Sequence, residues 1–469
     1  MVSVVARSAE QWPRASAEPS EQAAPSTSLA LDRNVERNSV PAIADDLSRE
    51  VYCILGMPID AIEMPAVMQS IEMAAASAVP FVISTPNVNF LVNAQNDAEF
   101  RESLLLSDLC PADGMPIVWI ARLMGIPIKN RIAGSDIFEA LKVQARPEGP
   151  IKIFLFGAKE SVVDAAARTL NVTTGLRCVG WICPDWGDVD ELSQKEFIDK
   201  INSSNADFLV ATLGAIKGQL WLYRNHHRLR IPLRSHLGAT IHFQAGTVKR
   251  APYTFQKLGL EWLWRIKEEP YLWKRYFHDG RVLLHLLLTR VLPLAISARL
   301  LQRRYERSVH DLVVKQTYGS NFVTLSLSGF AIGCHVDKVV TYFKVAMTTN
   351  KQIAIDFSET CAIDALFLGL LLMLRKQLKA RNAVPRFIGI SRRLERVFRL
   401  NGCGYLLPAH VEEATPGWNR GLAIYGHLTP TGETVSAPIS PLDEEPNPIG
   451  EISSVTPART GRPRLRRAL

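Results

Sequence analysis

The chain has 469 residues, length for two or three domains at roughly 150 residues each. Its composition, 47% apolar and 21% charged, excludes a wholly disordered chain and permits a sizeable core. Lys and Arg outnumber Asp and Glu by 54 to 46, a net charge of +8, and the thirteen basic and five acidic side chains from Lys249 to Arg307 account for all of it. A local surplus implies a local anionic partner, and nucleic acid, lipid headgroups and a phosphorylated substrate all qualify.

The seven cysteines (Cys53, Cys110, Cys178, Cys183, Cys334, Cys361, Cys403) are odd in number and lack zinc-site spacing. They are therefore expected as buried thiols in a reducing compartment. The amino terminus lacks the charged-then-apolar pattern of a signal peptide. No apolar run is expected to reach the roughly 20 residues that span a bilayer. The nearest approach, 282–301, is interrupted by His285, Arg290, Pro293 and Arg299.

In chain order, residues 1–48 are rich in Ala, Ser, Glu and Pro and read as a disordered tail. From 49 to 250, short apolar runs at 81–84, 151–156, 208–213 and 233–237 alternate with helical patterns such as 161–170. That alternation predicts βα units and a Rossmann-like parallel sheet, with ligands at the carboxyl ends of the strands. A basic, aromatic, helical segment follows over 251–307. A small α/β domain over 308–410 is predicted with strands at 322–327, 352–357 and 386–390 and helices at 336–348, 365–379 and 392–400. A second disordered tail, 411–469, ends in Arg462, Arg464, Arg466 and Arg467.

Chemistry is expected in the strand-end loops. Thr85, Asn87 and Asn89 supply neutral donors and acceptors past the first strand, around the stiff turn at Pro86. Asp113-Gly114 reads either as a plain turn or as a general base beside a hydroxyl nucleophile. Arg131, just before the helix start at Ser135-Asp136, suits a phosphate leaving group, or is merely exposed beside a cap. Gly157 and Gly214 each lie between a strand and a helix, where amino-terminal N–H groups attract phosphates. Lys249-Arg250-Ala251-Pro252 leads into Trp262, Trp264, Trp273 and Tyr276 interleaved with Arg265, Lys274 and Arg275. Such a mixture suits a membrane interface; a basic helix in a dimer interface is the competing reading.

In this order the segments resemble the WecG/TagA/CpsF family of bacterial glycosyltransferases over residues 51–280, most specifically at Lys249-Arg250-Ala251-Pro252 and Gly259-Leu260-Glu261-Trp262-Leu263. The resemblance implies an inverting, metal-independent enzyme that needs no cofactor. It would move a sugar from a UDP-sugar to a polyprenyl-diphosphate-linked saccharide at the inner face of the cytoplasmic membrane, in exopolysaccharide or other surface-polysaccharide synthesis. It also implies Asp113 as the base, Thr85 and Asn87 about the sugar, and Arg131 near the phosphates. Arg265, Lys274 and Arg275 would then grip the diphosphate and the bilayer surface. No nucleic acid is expected, and a homo-oligomer is left open.

Three positions depart from the family pattern: Gly218 where a glutamine is common, His242 where an aspartate is common, and Tyr271-Leu272 where an arginine is expected after Pro270. The smaller block resembles a STAS domain at Gly329, Asp356-Phe357-Ser358, Ile363-Asp364-Ala365 and 368–371. Ala365 occupies the place of the phosphorylatable hydroxyl, so a constitutive protein or nucleotide contact is expected and a phosphoswitch is not. The rival function is a catalytically weakened membrane-bound binding protein acting through that domain.

Overall fold

The computed structural model describes residues 45–185, 187–306 and 311–407. The chain divides into units Met1–Ala409 and His410–Leu469, and all of the described residues belong to the first. The expected tail 411–469, with its terminal arginine run, and most of the tail 1–48 lie outside the described residues. The end of the latter is ordered: Asp46–Ser48 form a 3-10 turn with Leu47 buried.

A hairpin opens the fold, β1 (Val51–Ile54) against β2 (Met57–Asp60). Its two-residue turn, Leu55-Gly56, has positive φ at both positions (50° and 89°), which matches the twist of the flanking strands. Next come β3 (Phe81–Ile83), β4 (Ile151–Gly157), β5 (Leu176–Ile182), β6 (Phe208–Thr212) and β7 (Leu233–His236). They make one parallel sheet in the order β3-β7-β6-β4-β5. Ile153, Leu155, Phe208 and Val210 are buried on one face, and Phe154, Phe156, Leu209 and Trp221 on the other. Two covered faces are what the crossover helices of a parallel sheet require. The strand order reverses between β4 and β6, and ligand crevices form at such a switch.

The second sheet comprises β8 (Val313–Tyr318), β9 (Phe322–Ala331), β10 (Gln352–Asp356), β11 (Thr360–Ile363) and β12 (Arg386–Ile388). Its order is β11-β9-β10-β12, with β8 antiparallel to β9. The helices Val336–Met347, Ala365–Lys379 and Arg392–Leu400 fall where their periodicity predicts.

The two sheets are less separate than the expected boundary at 308 suggests. Leu47, Val51, Cys53 and Leu105 share one hydrophobic core with the second sheet. A Cβ at Gly369 would lie 1.7 Å from the Val51 carbonyl oxygen, so helix Ala365–Lys379 can seat on the hairpin only with glycine at that position. The buried Lys376 ammonium is paired with Asp46 at 2.8 Å and Asp108 at 2.7 Å, and Arg375 and Lys379 both hold Glu102, at 2.6 and 2.9 Å.

Two other expectations are corrected. Cys334 and Cys361 are exposed, not buried. One helix, Pro270–Tyr305, is long and apolar enough to cross a membrane by length and composition. A π-turn, Leu287–Val291, precedes Pro293 and absorbs the backbone bond that a proline would otherwise break, so helix is continuous where the sequence suggests an interruption.

Candidate active site

Two loops meet beyond β3. The Asp113 backbone N–H donates to the Pro86 carbonyl at 2.9 Å, and the Ile132 N–H to that of Ala112 at 2.8 Å. These bonds bring 85–89, 111–114 and 131–136 together. Thr85 is buried beside Gly134, at the start of helix Gly134–Val143. Asn87 caps helix Val88–Asn96, its Oδ1 accepting from the Phe90 N–H at 3.2 Å, and its side chain also hydrogen-bonds the Asp113 carboxyl. Gly114, with φ +90°, turns the chain into helix Met115–Leu123 immediately after Asp113.

Around Asp113 stand two further carboxylates and two guanidiniums. The Arg131 guanidinium donates to Asp136 Oδ2 at 3.1 Å and Gln256 Oε1 at 2.8 Å and pairs with Glu261 Oε1 at 2.7 Å. Arg250 reaches the other oxygen of Asp136. Burial, with Glu261 and Asp136 nearby, pushes the Asp113 carboxyl up to about 8, against the opposing pull of Arg131 and the Asn87 bond. Burial also raises the Glu261 carboxyl. A carboxyl so poised exchanges protons near neutral pH, as a general base requires.

Glu261 enters this cluster because Gly259 permits it. With φ +72°, that glycine lies against helix Met115–Leu123, where a Cβ would meet Met115 Cβ at 2.8 Å and Trp119 at 2.9 Å. Helix Glu261–Glu268 therefore starts over Asp113.

At the switch between β4 and β6, a Cβ on Gly157 (φ +107°) would fall 2.7 Å from Leu213 Cδ2, whereas Gly214 (φ +88°) faces open space at the start of helix Ala215–Arg224. The departure at Gly218 has a structural cause: a Cβ there would lie 2.3 Å from His236 Nδ1. His236 stands at the carboxyl end of β7 with Nδ1 3.1 Å from the Ala211 carbonyl. A carbonyl only accepts, so Nδ1 carries the proton and Nε2 is an acceptor. Burial holds the ring neutral, its pKa down at about 4 although the Ala211 bond opposes this. His242, the second departure, bonds Thr247 Oγ1 through Nδ1 at 3.1 Å.

Thr85, Asn87, Asp113, Arg131 and Arg250 are thus brought together, and other expected residues are placed elsewhere. The Asn89 amide donates to the buried Asp279 carboxylate at 3.1 Å, tying helix Trp273–Leu286 to the sheet domain. Arg265 pairs with Glu269 and lies over the Phe243 ring. The Lys249 carbonyl accepts from Trp264 Nε1 at 3.0 Å. Lys274 and Arg275 are exposed, over Trp273 and Tyr276. Asp136, Glu261, Gln256 and His236 were not anticipated as site residues; only the motif positions of the first two signalled them.

The model of the Glycosyl transferase WecG/TagA/CpsF family matches residues 52–295. The chain is 27% identical over 194 residues to an N-acetylglucosaminyldiphosphoundecaprenol N-acetyl-beta-D-mannosaminyltransferase of Bacillus spizizenii, covering 41% of this chain and 73% of the relative. It is 28% identical over 195 residues to a Bacillus subtilis protein of the same name, covering 41% and 74%. A solved structure described as "crystal structure of SsGBP and GDP complex" is similar over 53% of this chain and 67% of that one, at 12% identity and a TM-score of 0.18, too slight a likeness to carry any argument. With its parallel sheet and the loops that converge on Asp113, the chain belongs to the WecG/TagA/CpsF family and is a glycosyltransferase.

Proposed function

We propose that the protein transfers an N-acetylhexosaminyl unit from a UDP-sugar to a polyprenyl-diphosphate-linked saccharide, with inversion and without a metal, in exopolysaccharide or other surface-polysaccharide synthesis. The observation that carries this reading is the Asp113 carboxyl, raised to about 8 within the Arg131–Asp136–Glu261 cluster of a chain of this family. In mechanism, Asp113 takes the proton of the acceptor hydroxyl, whose oxygen attacks the anomeric carbon while the bond to the diphosphate breaks. The charge on UDP meets Arg131 and Arg250 and the amino-terminal N–H groups beyond Gly157 and Gly214. Thr85 and Asn87 orient the sugar. The two named relatives act, by their names, on a polyprenyl-diphosphate-linked N-acetylglucosamine, which supports the acceptor class.

The enzyme works on the inner face of the cytoplasmic membrane. One side of helix Pro270–Tyr305 packs inward through Asp279, Leu286, Val291 and Leu294, and the other exposes Phe277, Leu284, Leu288, Leu292 and Ile296. A helix apolar on its outer side and anchored on its inner side lies in the interface instead of crossing it. The small second domain is STAS-like and is held by the chain's own hairpin.

The test is incubation with a panel of UDP-sugars and a short-chain lipid diphosphate acceptor, comparing wild type with Asp113→Asn. Product from the wild type and a loss of 100-fold or more in the variant is expected. Equal product from both refutes the role of Asp113. No product from either across the panel favours the weakened binding protein.

A further inference from the structure

Helix Arg392–Leu400 of the second sheet packs beside the helical segment Leu292–Tyr305. Between them opens a cleft of about 570 Å³, with Thr289 and Arg290 on one wall and Arg392, Glu395, Arg396 and Arg399 on the other. Four guanidiniums thus face one carboxylate. Glu395 is taken by Arg399, whose Nε and Nη2 lie 3.0 and 2.9 Å from its Oε1. Arg290, half-buried, donates to the neutral Gln95 amide oxygen at 2.7 Å and pairs with no carboxylate among the described residues. Arg392 and Arg396 make no ion pair with any described residue. Cations drawn together without their own counter-charge leave room for an anion from outside.

The position of the cleft narrows the choice of anion. Leu284, Leu288, Leu292, Ile296 and Leu300 are 56, 57, 42, 57 and 49% exposed and recur every four residues, an apolar stripe along the helix. Thr289, on the cleft wall, is one turn from Leu292, so the basic cleft borders the stripe. Apolar side chains beside uncompensated arginines match the boundary between acyl chains and phosphate headgroups.

We propose that this cleft binds the phosphates of anionic phospholipids, making the second domain a membrane-binding part of the enzyme in its own right. The inference rests on the membrane seat of helix Pro270–Tyr305. It assigns a new contact to residues beyond the family match, which ends at 295.

The full chain is tested by co-sedimentation with vesicles of phosphatidylcholine alone and of phosphatidylcholine with phosphatidylglycerol. At about fivefold per arginine, R392Q/R396Q is expected to lower partition onto the anionic vesicles by about 30-fold and leave the neutral ones unchanged. Circular dichroism and transfer to a short-chain soluble acceptor should not change. Leu288→Ser with Ile296→Ser should weaken binding to both kinds of vesicle. Unaltered anionic partition of R392Q/R396Q overturns the proposal while the membrane seat stands. So does binding of millimolar inorganic phosphate, read by calorimetry and abolished in R392Q/R396Q, that leaves partition onto the anionic vesicles unchanged, since the cleft would then be a site for soluble anions. Failure of the wild type to bind either vesicle overturns the membrane seat and the proposal together.

Discussion

Replacing Asp113 with Asn should make the protein more stable and less active, and the gain in stability should depend on pH in a defined direction. In the unfolded chain the carboxyl titrates near its ordinary value of roughly 4; in the folded protein burial moves it up to about 8. Below about pH 4 both states are protonated and the residue contributes nothing. Between the two values the unfolded state has released its proton and the folded state has not, so stability falls as pH rises, and the loss levels off above about 8. At roughly 1.4 kcal/mol per unit the penalty at pH 7 has a ceiling of about 4 kcal/mol, and relaxation around a partly accessible group brings it to about 2–4 kcal/mol. Asparagine has nearly the same volume, keeps an acceptor for the Asn87 side chain and carries no charge. Denaturant melts of the two proteins from pH 4 to pH 9 should therefore coincide at the acid end and diverge steadily to pH 8, with the variant higher. The kcat/KM of the wild type should rise over the same range. Parallel stability curves, or a variant less stable at pH 8 than at pH 5 relative to wild type, would refute the assignment of a raised Asp113.

Glu261→Gln removes a charge that raises Asp113, so the ascending limb of the kcat/KM profile should move to lower pH, and an unmoved limb would separate Glu261 from the base. Gly218→Gln should destabilise by about 1–3 kcal/mol through overlap with His236. Adding His236→Ala should recover most of that loss, and a double-mutant cycle in denaturant that shows additivity would contradict the contact. Lys376→Ala leaves the half-buried Asp108 without its cation, while Asp46 keeps Arg49 at 2.8 Å, and should cost about 1–3 kcal/mol, read from the urea midpoint; a change under about 0.5 kcal/mol, the size of an ordinary surface substitution, would mean that the two sheets do not depend on this lysine.

The strand-end loops and the helices of both sheets were legible because apolar periodicity and glycine turns are local signals. The helices Ala365–Lys379 and Arg392–Leu400 begin and end where their residues indicate, capped by Asp364 and Ser391. β5 and β8 escaped notice for the opposite reason. As edge strands with polar residues facing solvent, and with Gly180 inside β5, they lack a continuous apolar run. The Asp113 motif could be found because it lies within one loop. That Glu261 stands beside Asp113 could not be read the same way, since the two are brought together by the close approach of Gly259 to Trp119.

By itself, then, the sequence determined that two α/β blocks exist, that the chain resembles one glycosyltransferase family, and that the basic surplus sits in 249–307. Only the tertiary structure decided how those charges, and the basic side chains outside that stretch, are used. Arg131 and Arg250 are held by Asp136 and Glu261 at the site, Arg265 by Glu269, and Arg392 and Arg396 have no counter-ion among the described residues and lie beside an exposed apolar stripe. Net charge is a sum over residues, but its effect depends on distance and on burial, and both are set by packing between elements far apart in the chain.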